Sequence, residues 1–257
     1  MSNKPSYICI APSHFLKDYV KHYWLGLNNE ASSYTVLPDG SVDVVIQSND
    51  EVVSSMVYGT TTQRMDVEIL PNNHYLGIRF KPGKSRHFMN LSAQELTNTA
   101  DSSLDALSFS LEEFSEQLPL TNIAKKLDEL LEGHLKKQQP DDNNIDHVIA
   151  LIEDSRGLLR IEDAVVYSGK SRRQFERVFK EMVGVSPKFF SLITRFSHAT
   201  TLITQLSQST LADIAADAGY SDQSHMNHDF KRMTGVSPKT FLRDYDAFLQ
   251  YTKEIDS

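Results

Sequence analysis

The sequence predicts an α+β chain of two domains. A β-rich N-terminal domain with appended helices precedes an all-α domain in which two copies of a two-helix unit are joined by a long helix. Three observations predict this. Apolar residues alternate with a period of two in segments of the first hundred residues, the period then changes to that of amphipathic helices, and the pentapeptide GVSPK occurs at 184–188 and again at 235–239.

Along the chain, Cys9 comes first; it is the sole cysteine, so it forms no disulfide within the chain and reads as a small apolar side chain. In VLPDGSVDVVIQ, Asp39-Gly40 is a turn ahead of a strand whose Val42, Val44 and Ile46 share one face. YLGIRFKPG repeats the pattern, with Leu76, Ile78 and Phe80 on one side, Gly77, Arg79 and Lys81 on the other, and Pro82-Gly83 as the turn. LEEFSEQL reads as a short helix. TNIAKKLDELLEGHLKK reads as a longer one with Ile123, Leu127, Leu130, Leu131 and Leu135 on one face, suited either to a dimer contact or to packing on its own domain. The polar stretch KKQQPDDNN marks a linker at 136–144, which divides a domain at 1–135 from one at 145–257.

Composition narrows the function classes. Hydrophobic content of 40% and charged content of 23% are those of an ordinary globular protein. No apolar run is long enough to span a bilayer and the start lacks a secretory signal, so no membrane partner and a cytoplasmic location are expected. The net charge of −8 is unevenly spread: residues 1–140 carry 12 basic and 17 acidic side chains, and 141–154 add five acids and no base. Residues 155–243 carry 13 basic against 8 acidic side chains, and the segment after them is again acidic. The duplicated region is thus the one basic segment of an acidic chain.

The duplication extends well beyond GVSPK. Ile161 to Gly169 aligns with Leu211 to Gly219 at an offset of 50; one residue is then inserted, and Phe179, Lys180 and Met182 align with Phe230, Lys231 and Met233 at 51. Each copy, at about 158–184 and 209–235, has the punctuation of a helix-turn-helix. A helix ends at a glycine able to adopt a left-handed conformation, and a capped second helix follows, with Ser171 and Gln174 spaced as a capping box. GVSPK then stops that helix and starts the next, its serine an N-cap and its proline the first helical residue. The intervening helix from Ser186 to Leu206 would be roughly 30 Å long, close to one DNA turn.

The outward faces of the second helices point to a ligand. In the first copy Phe175, Val178, Phe179 and Met182 form the inner stripe, which leaves Arg173, Glu176 and Arg177 outside; an arginine fork in that position can bond guanine O6 and N7 together. In the second copy Met226, Phe230 and Met233 are the inner residues, and Gln223, Ser224, Asn227 and His228 face out as neutral hydrogen-bonding groups. Lys180, Lys231 and Arg232 stand at the far ends, where phosphates would lie. Double-stranded DNA is the expected partner.

On these residues, 145–245 resemble the DNA-binding domain of AraC/XylS-type bacterial transcription regulators. IEDAVVYSGKSRRQFERVFKEMVGVSPKFF and, more specifically, LADIAADAGYSDQSHMNHDFKRMTGVSPKTF carry the resemblance. It implies base reading by Arg173, Glu176 and Arg177 in the first motif and by Gln223, Ser224, His225, Asn227 and His228 in the second. It also implies promoter DNA and RNA polymerase as partners, a small-molecule effector and a homodimer. The chain departs from the family at His228, where arginine is common, and at the following Asp229. An acid near phosphates repels, so little base specificity is expected from the second motif. LPDGSVDVVIQ and YLGIRFKPG more weakly resemble the β-rich, cupin-like barrel sensor domains that precede such regions.

Other chemistries leave fainter traces. His14, His22, His74 and His87 are scattered with no H-x-H pair, and no phosphate loop, G-x-S-x-G or H-E-x-x-H motif is present, so neither metal, cofactor nor catalytic residue is expected. Trp24 in YVKHYWLGL suits either ligand stacking or the β core. Two further readings stay open: a β-barrel enzyme carrying a degenerate helix-turn-helix tail, and a regulator switched by a partner protein.

Overall fold

The computed structural model describes residues 7–27, 32–49, 53–102, 104–111, 114, 122–138, 143–205 and 209–243. Eight strands come first: β1 (Tyr7–Ile10), β2 (Val20–Gly26), β3 (Ser32–Val36), β4 (Val42–Ser48), β5 (Val53–Tyr58), β6 (Met65–Ile69), β7 (His74–Phe80) and β8 (Ala100–Asp101). Six of them form one antiparallel sheet in the order β1-β2-β7-β4-β5-β8, and β3 pairs with β6 in a separate ribbon.

Period-two alternation puts the two faces of the large sheet to different uses. Val42, Val44, Ile46, Leu76, Ile78 and Phe80 point into a core with Leu16, Phe88 and Phe114. That core is closed by helix α1 (Ile123–Gln138), whose Ile123, Leu127, Leu131 and Leu135 are buried in it. The apolar stripe of α1 therefore packs on its own domain. Two carboxylates fasten it there: Asp128 accepts hydrogen bonds from the Ser13 N–H (3.0 Å) and the Tyr23 hydroxyl (2.8 Å), and Glu132 accepts one from the Ser13 hydroxyl (2.8 Å). The opposite face of the sheet, with Cys9, Trp24, Val45 and Tyr75, meets Tyr34 and Ile69 of the ribbon. Arg79, whose alternation assigns it to the outer face, is covered by this ribbon side and only 5% exposed.

The second half is helical: α2 (Asn144–Asp154), α3 (Ile161–Ser168), α4 (Arg172–Val183), α5 (Pro187–Gln205), α6 (Leu211–Asp217), α7 (Gln223–Thr234) and α8 (Pro238–Arg243). Its apolar residues form a second core from Ile145 to Phe241. Helix α5 serves both halves of that core: Phe190 packs against Phe179 at 5.7 Å, and Phe196 against Phe230 at 4.9 Å. The predicted helix LEEFSEQL lies largely outside the described residues, as does the middle of the predicted linker; α1 runs on to Gln138. Among the described residues no helix is long and apolar enough to cross a membrane.

Candidate nucleic-acid interface

Two helix-turn-helix units stand on either side of α5. In the first, α3 ends at Gly169 with φ +65°, and α4 begins in a reciprocal capping box between Ser171 and Gln174. In the second, α6 begins in a capping box between Thr210 and Asp213. Helix α7 is capped by Asp222, which accepts the His225 N–H at 2.8 Å; that bond holds the Asp222 carboxyl below the usual carboxylate range. Helices α4 and α7 both end at a left-handed glycine, Gly184 and Gly235, each the first letter of GVSPK. The inserted residue lengthens the second turn, where Tyr220 is buried in the helical core beneath the Arg195 guanidinium, 5.5 Å from its ring.

The face of α4 is as the spacing predicts. Phe175, Phe179 and Met182 are buried, and Arg173, Glu176, Arg177 and Lys180 are exposed. Ion pairs organise that face: Arg172 reaches Glu176 at 3.1 Å and Glu162 at 3.6 Å, and Arg177 reaches Glu181 at 3.2 Å. Arg173 and Lys180 have no ion-pair partner among the described residues. Surface pairs of this kind contribute little, so the side chains remain available to an incoming polyanion.

The face of α7 departs from the expectation at two positions. Gln223, Ser224, His225 and His228 are exposed, but Asn227 is only half-exposed, and its carbonyl oxygen is buried without a hydrogen-bond partner among the described residues. Asp229 is 7% exposed, turned inward toward Tyr220, whose hydroxyl pKa burial and then this carboxylate push up. Asp229 thus stands on the buried side of the helix, with its carboxylate 3.7 Å from the Nδ1 of the exposed His228. His225 is oriented by Ser221, with 2.6 Å between Nδ1 and Oγ. Lys231 and Arg232 are exposed, and the Arg232 guanidinium lies 4.7 Å over the Phe189 ring.

Loops of the N-terminal domain touch the helical half directly, which sequence patterning did not indicate. The Thr60 hydroxyl donates to the Val183 carbonyl (2.9 Å), and the Thr97 hydroxyl is shared between the Ala93 (2.8 Å) and Gly184 (2.9 Å) carbonyls, so the C-terminal end of α4 is held. Asp146 on α2 accepts a forked pair from Arg86 (2.9 and 2.7 Å) and lies 3.1 Å from the Lys84 ammonium. Burial alone would raise the Asp146 pKa, but Arg86 and Lys84 outweigh it and hold the carboxyl low. Among the described residues no cluster of His, Cys, Asp or Glu is placed to hold a metal ion.

Residues 166–244 match a family model described as a helix-turn-helix domain, and residues 9–101 match one described as a domain of unknown function, DUF6597. An uncharacterized HTH-type transcriptional regulator of Haemophilus influenzae is 32% identical over 96 residues, which is 37% of this chain and 32% of that protein. The F1 operon positive regulatory protein of Yersinia pestis is 30% identical over 99 residues, 38% of this chain and 33% of that protein. The match spans about a third of the length of these relatives. Among solved structures, ToxT from Vibrio cholerae aligns over 83% of this chain and 97% of its own, with 14% identity and a TM-score of 0.45.

Proposed function

We propose that this chain, whose C-terminal domain is of the AraC/XylS helix-turn-helix type, is a sequence-specific transcription regulator. On this reading α4 and α7 enter successive major grooves of promoter DNA. The observation that carries it is the pairing of two capped units across a 19-residue helix, each with a polar outer face on its second helix. At 1.5 Å per residue α5 is about 28 Å long, the scale on which two recognition helices meet grooves one turn apart.

In this reading Arg173, Glu176 and Arg177 read bases from α4. Gln223, Ser224, His225 and His228 read bases from α7, with Asn227 joining once its half-buried amide turns outward. Lys180, Lys231 and Arg232 contact phosphates. The chain acts by binding in the cytoplasm, without a catalytic step, and passes its signal to RNA polymerase. The Yersinia pestis relative's description as a positive regulatory protein favours activation. A homodimer would use a surface other than the apolar stripe of α1, which is buried in its own core.

Residues 1–135 are the regulatory domain of this reading and 145–257 the DNA-binding one. Thr60 and Thr97 hold the first unit through the end of α4, so an effector that prefers the released arrangement shifts the population toward it, by no more than its difference in affinity for the two states. The test is fluorescence anisotropy of the full chain against a library of its own upstream DNA at several salt concentrations. A site bound at least about a thousandfold tighter than bulk sequence is expected. Uniform affinity for every fragment would dismiss the reading.

A further inference from the structure

A cavity of about 80 Å³ lies between the large sheet and the β3–β6 ribbon, with room for several waters or a small ligand. Its lining combines aromatic faces with an excess of acidic side chains. Four aromatic side chains, Trp24, Tyr34, Tyr58 and Tyr75, contribute to the wall. The charged lining residues are Asp39, Asp43, Glu68 and Arg79, three acids against one base.

Arg79 is already committed. Its guanidinium is paired with the Asp39 carboxylate through Nη2 and Nε and lies 3.4 Å from the Asp43 carboxylate. An anionic ligand would have to displace one of these carboxylates from a guanidinium that is almost fully buried. Asp43 also accepts a hydrogen bond from the Trp24 indole N–H at 3.2 Å, which fixes the ring. The ring lies across β7 at Gly77, where an added Cβ would stand 1.8 Å from the indole Cε2; only glycine leaves room for the indole there. Ser41, 4% exposed, also lines the cavity, and its hydroxyl has no hydrogen-bond partner among the described residues. A buried hydroxyl in that condition is costly unless something supplies the missing bond.

We propose that this cavity binds a small organic cation, an alkylammonium group whose charge rests on the aromatic wall and the surplus carboxylates and whose polar tail reaches the Ser41 hydroxyl. Aromatic faces attract a desolvated cation through their quadrupole, and the surplus negative charge rejects carboxylate ligands. The position also suits a signal. Asp39 and Ser41 flank Gly40, which packs against the Phe190 ring of α5, and the Ser41 carbonyl accepts a bond from the same Thr60 hydroxyl that holds Val183. This proposal rests on the reading of the N-terminal domain as a sensor.

Trp24 is the only tryptophan of the chain, so its emission reports on the cavity without any label. The full chain is titrated with choline, with its neutral isostere 3,3-dimethylbutan-1-ol and with 3,3-dimethylbutanoate. Choline should change the Trp24 emission saturably, and the neutral isostere should bind about tenfold more weakly. Glu68→Gln, on an exposed position of β6, and Tyr34→Leu should each weaken choline severalfold while circular dichroism stays unchanged. Equal or tighter binding of the alcohol or the carboxylate overturns the proposal, as does a Trp24 emission that choline leaves unmoved. DNA anisotropy is recorded on the same samples. Choline saturation without DNA binding would sink the regulator reading and leave the cavity assigned, whereas DNA binding without choline saturation would do the reverse.

Discussion

The Thr60 hydroxyl donates a 2.9 Å hydrogen bond to the Val183 carbonyl, across 123 residues of sequence. Val183 is the last residue of α4, where a helix leaves carbonyls without an intrahelical partner. One of those carbonyls is satisfied from the other half of the molecule, and Thr97 does the same for Gly184. The candidate recognition helix is thus held at its C-terminal end by the domain expected to sense a signal.

Replacing Thr60 with valine keeps the shape and removes the donor. Thr60→Val should destabilise the chain by about 1–3 kcal/mol in urea unfolding, because the Val183 carbonyl stays buried without that bond. It should also tighten DNA binding in the absence of any effector by freeing the first unit. Unchanged unfolding together with unchanged DNA affinity would show that the contact restrains nothing.

Acid should loosen the same contact surface. The Asp146 carboxyl is held below its ordinary value by Arg86 and Lys84, and Asp39 is held at about 2, where Arg79, Lys21 and the Ser41 N–H together outweigh burial. A carboxyl with a depressed folded pKa contributes stability above its unfolded value of about 3.9, and that contribution is lost as the pH falls toward the folded value. Midpoints of urea unfolding should therefore drop between about pH 4 and 2. Asp146→Asn should flatten part of this slope; an unaltered slope would remove Asp146 from the account.

On DNA, Arg173→Ala and Arg177→Ala should each cost about 1–3 kcal/mol at the cognate site and relax base preference. Lys180→Ala should instead weaken all sequences alike and lower the salt slope by about one. Anisotropy at several salt concentrations separates the two behaviours. Equal weakening on every sequence by the arginine variants would make them phosphate contacts.

Gly77→Ala tests the seat of the indole. The added methyl cannot coexist with the Trp24 ring in its present place, so the ring must move at a cost of about 1–3 kcal/mol. The emission of Trp24 should shift along with the unfolding midpoint. Wild-type emission with wild-type stability would mean the ring does not lie across β7.

Much of the fold was legible because its signals are local. Val42, Val44 and Ile46 alternate into one core, and Phe175, Phe179 and Met182 recur at helical spacing into the other. The helix-turn-helix ends were readable for the same reason: Ser171 with Gln174, and the left-handed Gly169, Gly184 and Gly235, act on backbone within a turn or two. The outer face of α4 followed from its inner one. The burial of Asp229 was not legible, because it depends on Tyr220, in a turn that an insertion reshapes.

The sequence by itself determined two central strands, the C-terminal helices with their caps, the duplication and the polar face of α4, because caps, turns and periodicity are settled among residues a few positions apart. Only the tertiary structure decided where Asp146 docks, on Arg86 and Lys84. It likewise decided that Trp24 belongs to the buried cluster between sheet and ribbon and also lines the cavity there, and that Thr60 reaches the end of α4. Each of these relations joins residues distant along the chain, and their meeting depends on how the sheet, the ribbon and the helices stack, which no local pattern encodes.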